Sequence, residues 1–249
     1  MEKYKMKNSK WWDISYNPVT GCTPVSAGCD HCYAKRLAGR FPQIHGQEFD
    51  EHLPERDFVC DIPFGKIQFH HDRLDIPLHW RKPKRIFVSS MGDLFHPDVS
   101  PKFVHDVFDV ILRCPQHTFI ILTKRPENIL AKLPPDYGTV CGGILPNLWL
   151  GVTAENQEML DLRWSIASKI PAVVLFVSGE PLLGNIDFLK HDRKPDWFIV
   201  GPETGPGARP MNLDWARSLR DQCVAADVPF FYKRGELDGR LWHQFPKGE

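Results

Sequence analysis

Three cysteines lie within eleven residues near the start of the chain: Cys22, Cys29 and Cys32. Three thiolates on one loop hold a metal centre while leaving one coordination position open, as in an iron–sulfur cluster with an exchangeable site. A structural zinc site needs a fourth ligand close by. The next cysteine, Cys60, has no Cys-x-x-Cys partner of its own. The spacing therefore favours an open cluster.

A zinc site is the competing interpretation of the same residues, because thiolates suit both metals. The fourth ligand would then be His31, Cys60 or a histidine of the pair His70-His71. His31 directly precedes Cys32, and two adjacent side chains do not readily bend onto one ion, which weakens this alternative. The remaining cysteines are expected to be ordinary buried thiols: Cys114, Cys141 and Cys223.

The composition fits an enzyme of this kind. The 249 residues are 42% hydrophobic and 12% aromatic, which excludes a disordered or fibrous chain and predicts one domain over residues 1–249 with its own core. Lysine and arginine number 31, as do aspartate and glutamate, so the formal charge is zero. Long-range attraction to nucleic acid is therefore not guaranteed, although a local basic groove is compatible with this balance.

The sequence also predicts a cytoplasmic location. No run approaches the roughly 20 apolar residues that a membrane span needs, and the first residues are polar, without the apolar core of a secretory signal. The cysteine count is seven, an odd number, and the spacings are unlike those of a disulfide framework. Thiols kept reduced for metal binding are the better interpretation.

Six short apolar runs follow the cysteine loop. They are continuous rather than alternating, which is typical of parallel strands that are covered on both faces. The predicted strands occupy residues 85–89, 117–123, 148–152, 172–178, 197–201 and 229–233.

Segments with helical spacing lie between these strands. A first helix is predicted from Tyr33 to Arg40, and another over residues 101–113, where Ser100 can cap and Pro101 can open the helix. Two further apolar stripes are Met159, Leu162, Ile166 and Ile170, and then Trp215, Leu219, Cys223 and Ala226. Alternating strands and helices predict an α/β fold with a parallel sheet that either curls into a barrel or stays open.

The stretch from about residue 41 to 83 interrupts this alternation. It is rich in His, Asp and Pro and has weak periodicity, so it is interpreted as a loop-rich insertion after the first helix. Long irregular loops are often functional lids, and a surface elaboration is an equal alternative.

Polar residues directly follow the predicted strands. The carboxyl ends of parallel strands meet at one rim, where such folds bind their ligands. Helix capping explains some of these residues without a ligand. The rim candidates are Ser90, Asp93, Lys124, Arg125, Thr153, Asn156, Ser178, Glu180, Glu203 and Lys233.

The segment Cys29-Asp30-His31-Cys32 resembles the cluster loop of radical S-adenosylmethionine (SAM) enzymes, which commonly reads Cys-x3-Cys-x-aromatic-Cys. Here six residues rather than three separate Cys22 from Cys29. The rest of the chain resembles a phage-associated branch with this Cys-x6-Cys-x2-Cys spacing. The resemblance covers residues 11–22, 90–96, 122–126, 178–184, 201–211 and 231–233.

The resemblance implies a partial (β/α)6 TIM-like barrel and an enzyme, whether isomerase, lyase or transferase. Cys22, Cys29 and Cys32 would each bind one iron of a 4Fe-4S cluster, and SAM would chelate the fourth iron. Reductive cleavage of SAM would give a 5′-deoxyadenosyl radical that abstracts hydrogen from a substrate. An electron donor such as flavodoxin or ferredoxin is then an expected partner.

The resemblance also implies roles for the rim. Ser90 and Asp93 would receive the amino group of SAM, and His31 would lie beside the cofactor. The ribose and carboxylate ends would meet Thr153, Asn156, Ser178 and Glu180, whereas Glu203 and Lys233 would face the substrate or cofactor as catalytic groups. Lys124 and Arg125 would bind substrate phosphate, or else only decorate the start of a helix.

The phage association makes a DNA nucleobase the first expected substrate. A local basic set near Trp80 could follow a phosphate backbone, although a solvated basic face explains it equally: Arg81, Lys82, Lys84 and Arg85. Zero net charge favours a peptide or small metabolite instead. A zinc-stabilised, non-catalytic binding module is the third possibility. Trp11 and Trp12 are expected to be core plugs rather than base-stacking platforms.

Overall fold

The computed structural model describes residues 10–41, 45, 47–48, 60–61, 63–138 and 143–246. The strands in chain order are β1 Ile14–Tyr16, β2 Val19–Thr20, β3 Gln47–Glu48, β4 Cys60–Asp61, β5 Gln68–Phe69, β6 Arg85–Val88, β7 Thr118–Thr123, β8 Leu148–Thr153, β9 Val174–Gly179, β10 Trp197–Val200, β11 Phe230–Leu237 and β12 Arg240–His243. Eight of them form a central sheet with the strand order β1-β6-β7-β8-β9-β10-β11-β12.

Seven of these strands run parallel, and β12 returns antiparallel beside β11. The six apolar runs predicted from the sequence are all present as β6 to β11. β6 to β10 are buried on both faces over most of their length, and β11 is buried in the same way over its first three residues, which explains why the runs are continuous rather than alternating. The chain is therefore an α/β protein with a mostly parallel sheet.

Helices connect most of the successive parallel strands. Ser100 accepts a hydrogen bond from the Phe103 amide at 3.3 Å, and Pro101 opens the helix behind it, as predicted. Strand and helix do not alternate throughout, because residues 180–196 connect β9 to β10 without a helix. The helices are α1 Tyr33–Arg40, α2 Pro101–Leu112, α3 Ile129–Lys132, α4 Gln157–Ala167 and α5 Leu213–Ala225.

The predicted apolar stripe of α4 is wrong in part. Leu162 is 57% exposed, and the buried face of the helix is instead formed by Leu160, Arg163, Trp164 and Ala167. Arg163 is tolerated on this face because it is paired with the buried carboxylate of Glu155. The helix face that packs on the sheet therefore contains a charged side chain.

The two faces of the sheet pack differently. One face packs on the helices, and the other encloses an aromatic cluster that includes Trp11, Phe87, Trp149, Phe176 and Trp197. The rings of Trp11, just before β1, and Trp197, in β10, lie 6.0 Å apart between centroids. In a flat sheet these strands would stand about 24 Å apart, so the sheet curls around the cluster. Within the described ranges no ladder joins β1 to β12, so the curl stays open.

Part of the expected insertion at residues 41–83 is described, and the rest lies outside the described residues. Its strand β5 pairs antiparallel with β2, directly before the cysteine loop. The amide of Cys22 donates to the Phe64 carbonyl at 2.9 Å, and the His70 amide donates to the Pro18 carbonyl at 2.8 Å. The insertion thus packs against the loop. In the part of the chain that the structure describes, no helix has the length and apolar character that a membrane crossing requires.

Candidate functional site

A cavity of about 460 Å³ opens at the carboxyl ends of the parallel strands. Its floor includes Trp11, Trp12 and Phe87, which belong to or pack on the aromatic cluster. Trp11 is buried, as expected for a core plug, whereas Trp12 is partly exposed. Pockets of 300–1,000 Å³ typically hold one drug-sized ligand or cofactor, so the cavity has the volume for such a molecule.

Cys22, Cys29 and Cys32 all line this cavity as free, partly exposed thiols. Their loop runs from β2 through a turn of 3-10 helix at Ala27–Cys29, and α1 begins directly after Cys32. In the described part of the chain, no three His, Cys, Asp or Glu side chains are grouped closely enough to hold one metal ion. A 4Fe-4S cluster differs in this respect because each thiolate binds its own iron. His31 lies beside the cysteines and lines the cavity too.

Three arginines hold the loop along its length. At its start, the Arg125 Nη2 donates to the carbonyl and the hydroxyl of Thr23 at 2.6 and 2.9 Å. In its middle, the Arg163 Nη2 donates to the Ser26 Oγ at 2.9 Å. Before its last turn, Arg209 donates to the carbonyl of Ala27 at 2.6 Å and to the Asp30 carboxylate at 3.1 Å. The long spacer between the first two cysteines is therefore a fixed segment.

The middle arginine belongs to a buried ion pair. Arg163 Nη1 and Glu155 Oε2 are 2.8 Å apart, and their side chains are 3% and 0% exposed. Glu155 also accepts from the Gly28 amide at 3.2 Å. Burial opposes ionisation of Glu155, but Ser26 and the charge of Arg163 together hold its pKa below the usual value. The pair therefore stays charged and grips the loop at two points.

Asp93 lies at the centre of a second buried network. Its carboxylate accepts from the Thr123 hydroxyl at 2.7 and 2.9 Å, from the Phe95 amide at 3.0 Å and from the Arg125 guanidinium at 3.3 Å. Arg125 also donates to the Cys22 Sγ at 3.3 Å. Burial raises the pKa of the Cys22 thiol, and Asp93 adds to this rise while Arg125 opposes it.

The two residues predicted to be catalytic line the cavity as ion pairs. Lys233 donates to the Glu180 carboxylate, and its ammonium lies 5.3 Å from the centroid of the Trp12 ring. Glu203 accepts three hydrogen bonds from Arg209, at 2.6 to 3.0 Å, and these bonds lower its pKa. The Glu203 carboxylate is thus held in the charged form beside a cation.

The comparisons with known proteins add a family. The sequence matches the family described as "Protein of unknown function (DUF5131)" over residues 7–246. The chain belongs to this family. No curated protein and no solved structure matches it.

In this DUF5131 chain, Asn156 and Ser178 are the two predicted site residues that do not line the cavity. Asn156 caps α4 by accepting from the Met159 amide at 3.0 Å, which is the capping alternative. Ser178 is fully buried, and its hydroxyl has no hydrogen-bond partner among the described residues. The other rim candidates lie at the cavity, including Ser90, Thr153 and Lys124.

Ser89 is not among the predicted site residues, yet it lines the same cavity. Its hydroxyl is buried without a partner in the described structure, whereas the neighbouring Ser90 hydroxyl donates to the Asn17 side chain at 3.1 Å. Ser89 has φ of 55°, a left-handed conformation that is uncommon for residues other than glycine. The available signal was its position, because Ser89 ends the predicted apolar run and directly precedes the candidate Ser90.

The basic set of the DUF5131 chain lies away from the cavity. Arg81, Lys82 and Lys84 precede β6, at its amino end, whereas the cavity opens at the carboxyl ends. Arg85 is bonded to the Asp13 carboxylate at 3.3 Å. The basic set and the Lys124-Arg125 pair therefore do not form one continuous groove.

Proposed function

We propose that this chain is a radical SAM enzyme of the cytoplasm, where thiols stay reduced. The observation that carries the proposal is that Cys22, Cys29 and Cys32 are free thiols on one fixed loop and line one cavity at the carboxyl ends of parallel strands. The curl of the sheet around its aromatic cluster supports a partial (β/α)6 TIM-like barrel. Parallel barrels bind their ligands at this end of the strands.

The residues present fit the two cofactors that this proposal requires. The three thiols supply one ligand to each of three irons, and the cavity volume of about 460 Å³ suits a molecule of the size of SAM. The Ser89 hydroxyl is buried at the cavity without a partner in the described structure, and buried polar groups are normally hydrogen-bonded. A polar ligand at this point would satisfy it.

When bound and reduced by one electron, the 4Fe-4S cluster supplies cleavage of SAM to methionine and a 5′-deoxyadenosyl radical, which abstracts a hydrogen atom from substrate. The chain's own residues bind and orient the cluster and SAM. Cys22, Cys29 and Cys32 hold iron, Ser89 and Thr153 offer hydroxyls to the cofactor, and Trp12 shields the cavity floor. A flavodoxin or ferredoxin would be the electron donor.

Lys233 and Glu180 are the groups best placed to hold a proton or a polar substrate atom. They form a partly exposed ion pair on the cavity wall, with side chains 21% and 23% exposed. Glu203 is fixed by Arg209, so its role is to orient the cysteine loop and the cavity wall. Lys124 lines the cavity as the cation that would meet a substrate phosphate.

For the substrate, we retain a DNA nucleobase, extruded into a cavity with an aromatic floor. A peptide or small metabolite is the second candidate, and it is favoured by the position of Arg81, Lys82 and Lys84 at the other end of β6. Charge reversal separates the two. If DNA is the substrate, Lys124→Glu weakens DNA binding in low salt more than Lys82→Glu does. Absence of DNA binding in low salt favours the small substrate.

The experiment that tests the enzyme proposal is anaerobic reconstitution with iron and sulfide. The expected result is a brown protein with about four irons and four sulfides per chain, which cleaves SAM when dithionite is added. The variant Cys22→Ala/Cys29→Ala/Cys32→Ala loses the cluster, and the matched control Cys223→Ala, at a buried thiol of α5, keeps it. Colourless protein with about one zinc per chain would establish the binding module instead.

Deuterium transfer identifies the substrate class. Reconstituted protein is incubated with SAM, dithionite and either a deuterated oligonucleotide or deuterated small molecules. Deuterium in 5′-deoxyadenosine marks the substrate whose C–H bond is attacked. Transfer from the small molecules and not from the oligonucleotide would end the nucleobase hypothesis.

A further inference from the structure

Arg125 makes the one side-chain hydrogen bond to a cysteine sulfur among the described residues. Its Nη1 is 3.3 Å from the Cys22 Sγ and 3.3 Å from the Asp93 Oδ2, so a single nitrogen bridges the two groups. Its Nη2 holds Thr23, the residue next to Cys22. The guanidinium therefore fixes both the sulfur and the backbone that carries it.

This contact makes the three cysteines unequal. In the described part of the chain, no hydrogen-bond donor reaches the sulfur of Cys29 or Cys32. Arg125 is also a permanent cation, because its guanidinium does not lose its proton in proteins. One corner of the proposed cluster would therefore face a fixed positive donor, and the other two cysteine corners would not.

Arg125 is held too firmly to serve the substrate as well. Its side chain and that of Asp93 are 4% and 6% exposed, so the pair is buried. The Arg125 amide donates to the Thr123 hydroxyl at 2.9 Å, and that hydroxyl donates to Asp93. A guanidinium with both ends engaged in a buried network is not available to a phosphate outside it.

We infer that Arg125 is a positioning residue which holds the Cys22 ligand and raises the reduction potential of the cluster, an inference that depends on the proposed radical SAM function. A donor to a ligating sulfur withdraws electron density from the iron–sulfur unit and stabilises the reduced form. The reaction affected is the addition of one electron to the cluster from an external reductant. Arg125 therefore acts on the cluster and does not bind a substrate phosphate, although the sequence had predicted that it would.

The test uses the double variant Arg125→Met/Asp93→Asn in the full chain. Removing both charges avoids an unpaired buried carboxylate and leaves the net charge beside Cys22 at zero, while the hydrogen-bond donor to its sulfur is lost. The measurement is a redox titration with dithionite, in which electron paramagnetic resonance monitors the reduced cluster. We expect one-electron reduction to become at least tenfold less favourable, which is a potential more negative by at least about 59 mV.

The matched control is Arg209→Gln/Glu203→Gln, which also removes one charge of each sign and loosens the same loop at Ala27 and Asp30, but Arg209 contacts no sulfur. We expect its potential to remain that of the wild type. An unchanged potential in Arg125→Met/Asp93→Asn, or an equal shift in Arg209→Gln/Glu203→Gln, overturns the inference. Wild-type protein that takes up no cluster overturns the proposed function itself, so the two failures are distinguishable.

Discussion

At the amino ends of the strands the interior of the curled sheet is filled with aromatic rings, whereas at the carboxyl ends it is lined with ion pairs and thiols. We call these regions the aromatic plug, formed by Trp11, Phe87, Trp149, Phe176 and Trp197 with their neighbours, and the polar rim, formed by the cysteine loop and its three arginines. The plug is stabilised by volume and contact area. The rim is stabilised only while each charge keeps its partner.

This difference separates stability from chemistry. The plug closes the bottom of the sheet and leaves a floor on which a cavity can form. The rim arranges groups that would be costly to bury alone, because Arg125, Arg163 and Glu155 are all nearly inaccessible to solvent. A compensating second substitution should therefore restore the free energy of unfolding at the rim but not in the plug.

The largest expected effect is in the plug. Trp197 is fully buried, and its ring lies 5.4 to 6.1 Å from the rings of five aromatic neighbours, measured between centroids. Trp197→Ala should lower the free energy of unfolding by about 3–5 kcal/mol, because it removes an indole from a close-packed cluster. Urea unfolding measures this loss. Trp215→Ala, at a partly exposed indole of α5, is the matched control and should lose much less. Equal losses in the two variants would mean that the aromatic plug is not the hydrophobic core at the amino ends of the strands.

The next effect tests the rim. Arg163→Met should lower the free energy of unfolding by about 3–4 kcal/mol, because it leaves the Glu155 carboxylate buried without its cation. The double variant Glu155→Gln/Arg163→Met should recover most of this loss in the same urea experiment. No recovery would show that the pair acts through shape, as the plug does, and would remove the distinction between the two regions.

The plug was easier to predict from sequence than the rim. Continuous apolar runs predicted β6 to β11 because strands covered on both faces exclude polar residues almost everywhere. The apolar stripe of α4 failed at Leu162 because hydrophobic periodicity has no way to place a paired arginine, Arg163, on a buried face.

At the rim, position after a strand indicated which residues gather at the cavity but not what each contacts. Asn156 follows β8 as predicted and is used as a helix cap. Arg125 follows β7 and turns inward to Cys22, a contact between residues that are 103 positions apart in the chain. Contacts of this kind depend on how several loops fold against one another, and a local sequence pattern does not predict that.

The smallest effect concerns the edge of the rim, where the insertion meets the cysteine loop. His70 Nε2 is 2.8 Å from the Thr20 hydroxyl, which is also 2.9 Å from His45 Nδ1. Burial, followed by the charge of Arg73, lowers the pKa of His70 from 6.5 to about 4, against the opposing effect of Asp72. The unfolded chain therefore binds a proton here more readily than the folded chain does.

The sign of the pH dependence follows from this difference. His70 contributes stability that is complete above its unfolded pKa of 6.5 and is lost as the pH falls toward 4. Because His70 is partly exposed, the loss between about pH 7.5 and 5 is discounted to about 1 kcal/mol. Urea unfolding at both pH values should show a weaker pH dependence in His70→Gln than in wild type. His71→Gln, at the exposed neighbouring histidine, should keep the wild-type dependence, because it leaves His70 and the other histidines with lowered pKa values in place: His45, His96 and His243. If both variants behave as wild type, the insertion is not coupled to the rim through His70.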